Sequence, residues 1–88
     1  MTPEDEVRRA GKANEILDSA VFKEAFGEIE EAILSGIRRA PIKDVELRDK
    51  LCQQYVSLHT IRDQLRTYIE SGKLAQATLA ERIRGAFR

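Results

Sequence analysis

Leu47, Leu51, Gln54, Leu58, Ile61, Leu65 and Tyr68 follow one another at alternating steps of four and three residues. No other feature restricts the fold of this chain as strongly. On a strand, where successive side chains point to opposite faces, such spacing draws no pattern. On a helix it draws one apolar stripe kept in register for three heptads, with a single polar member at Gln54. A stripe of this kind needs a second helix to cover it, and the preceding segment offers one. Phe22, Phe26, Ile29, Ile33 and Ile37 share a helical face flanked by Ala25 and Ala32, while Lys23, Glu24, Glu28, Glu30 and Glu31 fall largely elsewhere. Arg38-Arg39 suit the negative end of that helix, Ala40-Pro41 stops it, and Asp44 caps the next one after a turn over Pro41 to Lys43. A connection this short makes the two helices antiparallel neighbours. The expected fold is all-α: a helical hairpin over about residues 19–39 and 44–71, with Phe26, Ile33, Leu51, Leu58 and Leu65 at its core.

Two further segments flank the hairpin. Thr2-Pro3-Glu4-Asp5 is a helix start, with a capping threonine, proline at the first helical position and acids at the positive dipole end. The short N-terminal helix runs to about Leu17 and presents Val7, Ala10, Asn14 and Leu17, beside Gly11 and Ala13; Asp18-Ser19 then caps the next helix. Its residues are small, so it can approach a neighbour closely while burying little. Gly27 and Gly36 each cost about 1 kcal/mol inside a helix; close helix–helix approach is the expected reason to keep them, and a kink is the alternative. At 1.5 Å per residue the hairpin's second helix outreaches the first by about two turns, which leaves Leu65, Tyr68 and Ile69 in need of a cover. Glu70-Ser71-Gly72-Lys73 reads as a helix stop, with Gly72 as a left-handed cap. The expected organisation is therefore a unit over residues 1–73 and a C-terminal helical arm over 74–88. That arm, which carries Leu74, Ala77, Leu79 or Ala80, Ile83 and Phe87, folds back as a fourth helix, docks on a neighbouring molecule, or frays, with Gly85 weakening its last turn.

Composition narrows the chemistry. Fifteen bases balance fifteen acids, with twelve acids against nine bases in residues 1–50 and three against six in residues 51–88. An overall balance near zero argues against a dedicated DNA-binding domain. Arg38, Arg39 and Lys43 at one tip and Arg82, Arg84 and Arg88 in the arm would reach phosphates, but only Tyr55 and Tyr68 are there to stack bases, and both fit packing faces. Cys52 and His59 are the only cysteine and histidine, too few ligands for zinc, and a lone cysteine fits a reducing compartment. His59 reads as a partly exposed helix histidine and Glu30-Glu31 as a solvated acidic face. No serine has the spacing of a triad, no glycine-rich phosphate loop is present, and no apolar run approaches a membrane span. The reading is non-enzymatic, with no catalytic, cofactor or metal residues. A domain this small buries only about 60–65% of its unfolded surface, so partner surface is expected.

Three stretches, ILDSAVFKEAF (Ile16–Phe26), APIKDVELRDKL (Ala40–Leu51) and IESGKLA (Ile69–Ala75), together resemble a family of small, mostly uncharacterised bacteriophage and prophage proteins. The likeness spans about residues 10–75 and lies in a leucine–phenylalanine motif, a Pro/Asp turn, a long helix and a terminal Gly-Lys-Leu-Ala. It implies a phage-encoded protein, located in the virion or the host cytoplasm, and transfers no functional residues. The function expected is a protein-interaction module, a homo-oligomer or a component that assembles with a phage structural protein. A small effector that neutralises a host defence protein or nucleotide is the second reading, and a nucleic-acid-binding accessory of DNA packaging the third. The partner-binding residues expected are Leu79, Arg82, Ile83, Arg84, Phe87 and Arg88 of the arm, meeting the acids Glu24, Glu28 and Glu31 of another copy.

Overall fold

The structure is a computed structural model that describes residues 1–87. Among them lie three helices: α1 (Pro3–Asp18), α2 (Ala20–Arg39) and α3 (Val45–Ala86). Each starts at the residue that its sequence marks. Thr2 closes a capping box with Asp5, Ser19 Oγ accepts from the Phe22 N–H at 3.3 Å, and Asp44 accepts from the Leu47 N–H at 3.1 Å. Ser19 alone separates α1 from α2, and the N–H of Ala40 closes the end of α2 on the carbonyls of Gly36 and Ile37.

α3 is the frame. Its 42 residues amount to about 63 Å at 1.5 Å each, close to the 69 Å length of the whole molecule. Both shorter helices run antiparallel to it, one after the other. α2 packs on its first half, with Gly36 against Leu51 and Phe26 against His59. α1 packs on its second half, with Ala10 against Gly72 and the Arg9 guanidinium 4.0 Å above the Tyr68 ring. The overhang that needed a cover is thus covered by α1, and Leu65, Tyr68 and Ile69 are half-buried.

The expected helix stop at Gly72 is absent: α3 continues through it to Ala86, and no described glycine has positive φ. The reason is steric. A Cβ on residue 72 would lie 2.2 Å from the Cβ of Ala10, so the glycine is there to let two helix backbones touch. With α1 pressed on this turn, and Ala75, Ala77 and Ala80 following as strong helix formers, the right-handed conformation carries on. The segment after Lys73 is therefore not a separate helix but the end of α3. Gly36 does serve close approach, whereas Gly27 faces open space.

The resulting body is thin. Ala13, Phe26, Ile33, Ala40 and Ala75 make up the buried core, and Leu51, Leu58 and Leu65 are half-buried beside it. The radius of gyration is 19.3 Å, against about 12 Å for a compact domain of this length. The accessible surface is 6683 Å², roughly 1,400 Å² more than the scaling law gives for a compact monomer of 10.0 kDa.

Candidate interaction surface

The α2–α3 interface has two unlike edges. One is closed by polar chemistry. Arginine can only donate, so the 2.8 Å contact from the Arg62 guanidinium makes His59 Nδ1 an acceptor, and Nε2–H then donates to the Glu30 carboxylate at 2.6 Å. The imidazole stacks on Tyr55 with centroids 4.3 Å apart and meets Phe26 edge-on at 5.3 Å, while Arg62 lies 4.6 Å above the Phe26 ring. The Nε of Arg62 has no hydrogen-bond partner, and neither has that of Arg9 over Tyr68. His59 is the partly exposed helix histidine expected, but it and Glu30 are half-buried members of a cross-helix network, so Glu30 does not belong to a solvated acidic face. Spacing gave no sign of this, because the two partners lie 29 residues apart on different helices.

The other edge is open and apolar. Residues seven apart on α3 form rows along the helix. α2 lies over the row of Leu51 and Leu58 and over the neighbouring row of Tyr55 and Arg62, all half-buried. The third row, Leu47, Gln54 and Ile61, is left exposed, although it supplied the other half of the heptad stripe. The pairing is therefore turned one row from the expected seam, and Gln54 stands at its margin. Across from this bare row α2 presents Ile29 (51% exposed) and Ala32, and a groove opens between them whose lining includes Ile33, Leu51, Gln54 and Leu58. Farther along α3 the same row is covered, at Tyr68 and at buried Ala75, because α1 lies on that side. The groove is the unoccupied continuation of the track that α1 fills.

The residues expected to bind a partner are placed as follows. Leu79 is half-buried near the α1 end of the track, whereas Arg82, Ile83, Arg84 and Phe87 are exposed on the last turns of α3. Ile83 is 60% and Phe87 86% exposed, and Arg84 is paired with Glu81 of its own helix. Arg88 lies outside the described residues. Glu24, Glu28 and Glu31 are exposed on α2, with Glu31 held by Arg38 at 2.6 Å. The structure does not bring the two sets together within one chain. α2 meets α3 no later than about Arg66, and Arg82 lies about 24 Å beyond that at 1.5 Å per residue.

Among the described residues there is no group of three or more His, Cys, Asp or Glu placed to hold a metal ion, and no helix is long and apolar enough to cross a membrane. Comparison with protein-family models, with curated proteins and with solved structures finds no match.

Proposed function

We propose that this chain is a non-enzymatic protein-interaction module that works as a homo-oligomer, as a phage-encoded structural or assembly component. The observation that supports self-association most directly is surface. An excess of roughly 1,400 Å² over a compact monomer is more than the ~800 Å² that each partner gives to a standard interface. Ile29, Leu47 and Ile61 beside the groove and Ile83 and Phe87 at the end of α3 are large side chains in the open. The phage assignment rests on the resemblance of Ile16–Phe26, Ala40–Leu51 and Ile69–Ala75 to phage and prophage proteins. In this reading the end of α3 is an arm that seats Ile83 and Phe87 on a neighbour, with Arg82 and Arg84 facing acids such as Glu24 and Glu28.

Light scattering across a concentration series tests the reading: the full chain should have a mass above one copy. A chain ending at Ala80 removes, among the described residues, only exposed ones and leaves Gly72, Ala75 and Leu79 in place, so helical content per residue should hold while the assembly becomes smaller. Salt should weaken the contact only in part, since exposed ion pairs contribute about 0–1 kcal/mol each. A full chain that stays monomeric at every concentration refutes self-association, and a shortened chain with unchanged mass refutes the arm.

A further inference from the structure

We infer that the groove between α2 and α3 is a two-fold interface in which a second copy of the chain lays its own groove, closing the two hairpins into a four-helix bundle with Gln54 of each copy at the contact. This rests on the self-association proposed above and assigns it to a surface. Three observations carry it. The first is shape: farther along the bare row α1 covers Tyr68 and Ala75, so helical surface of this chain already fits the neighbouring stretch of the same row. The second is the polar content of the lining. Apart from Lys50 it consists of Gln53, Gln54 and Ser57, each with both a donor and an acceptor. Such groups can satisfy themselves across a two-fold axis, where a carboxylate or an ammonium would meet its own charge. Lys50 stands at the rim, 3.6 Å from Glu46 of its own helix.

The third observation is area. From Leu47 to Ile61 the bare row runs for about 21 Å, and two adjacent helices are roughly 20 Å wide, a flat footprint of about 400 Å² per copy. Two such corrugated faces together approach the ~1,000 Å² floor of a specific interface. A single short peptide helix would cover only half of that width. Net charge does not oppose association, because each copy has as many bases as acids.

The experiment is sedimentation equilibrium of the full chain and of three variants, each at an exposed site so that the helices persist, with circular dichroism as the check on folding. Ile29→Glu and Ile61→Glu should each weaken association by about tenfold or more, as expected for an isoleucine that loses its cover on both copies. Val56→Glu, on the outer face of α3 and equally exposed, should leave it unchanged. A short thiol-to-thiol crosslinker gives an independent readout. Gln54→Cys in a Cys52→Ser background should be captured as a dimer, whereas native Cys52, whose side of α3 also carries Val56, should not. Association that survives both glutamate variants, or crosslinking through Cys52 and not through position 54, overturns the groove assignment and leaves the self-associating module standing on another face. A monomer at every concentration removes both.

Discussion

Gly72→Ala sets two well-known effects against each other. By helix propensity alone, replacing a glycine in the middle of a 42-residue helix should stabilise it by about 1 kcal/mol. The surroundings say the opposite. The added Cβ would lie 2.2 Å from Ala10 Cβ and 3.3 Å from the Glu6 carbonyl oxygen, where carbon atoms rest at about 3.5–4.0 Å. Neither group can rotate away, since one is a methyl fixed to its backbone and the other is backbone. α1 must therefore back off α3 by more than about 1 Å along its length, opening the contact that keeps Ala13 and Ala75 buried. Overpacking of this kind costs about 1–3 kcal/mol, and a rigid neighbour puts it in the upper part of that range, so the net effect is a loss of about 1–2 kcal/mol. Gly27→Ala is the control: nothing lies within 4 Å of its Cβ, and it should gain up to about 1 kcal/mol. Urea unfolding followed by circular dichroism, at one fixed protein concentration because association shifts apparent stability, measures both. Adding Ala10→Gly to Gly72→Ala removes the clash and should recover part of the loss, which shows as a non-additive double mutant. If Gly72→Ala stabilises as much as Gly27→Ala, the close approach of α1 to α3 is wrong.

Two other perturbations separate real from nominal contacts. His59→Ala strips the half-buried Glu30 carboxylate and the Arg62 guanidinium of their cross-helix partner and should cost about 1–3 kcal/mol in the same unfolding assay, while Glu31→Ala, which breaks only the exposed pair with Arg38, should cost about 0–1 kcal/mol. At the start of α1, hydrogen bonds from Thr2, its side chain first and then its backbone N–H, together with Arg8, hold the Asp5 carboxyl below its ordinary value. A lowered folded-state value means that this contribution is present above the ordinary carboxylate pKa and is lost as pH falls through the lowered one. In a carboxyl NMR titration Thr2→Ala should raise the midpoint of Asp5.

Most of the fold was legible because its boundaries are local. A cap is one side chain and one N–H a turn away, so Thr2, Ser19 and Asp44 could be read directly, and the short Pro41 turn settled the antiparallel order. The seam was legible as a stripe but not in its rotation. Leu51, Leu58 and Leu65 belong to whichever pairing is chosen; whether Gln54 or Tyr55 stands beside them depends on Phe26, His59 and Arg62 meeting on one side, a three-dimensional fact. The turn at Glu70-Ser71-Gly72-Lys73 was ambiguous for a similar reason. Glycine before a lysine can end a helix or make room for another one, and only the position of Ala10 decides between them.

The site follows from the same rotation. α1 and α2 are 16 and 20 residues long and stand in line on a helix of 42; both meet the row of Leu51, Leu58, Leu65 and Gly72, but α2 is turned toward Tyr55 and Arg62 and α1 toward Tyr68. The aromatic and guanidinium groups of Phe26, Tyr55, His59 and Arg62 draw α2 toward one edge, where His59 bridges Arg62 and Glu30. α1 sits on Gly72 through Ala10 and is turned toward the other edge, with Arg9 over Tyr68. Neither helix can cover what the other leaves bare, since Ser19 is the only residue between them. The row of Leu47, Gln54 and Ile61 is therefore uncovered as a consequence of how the rest of the chain is satisfied. An interface placed there would complete the heptad stripe that the sequence announces and that a single copy covers by half.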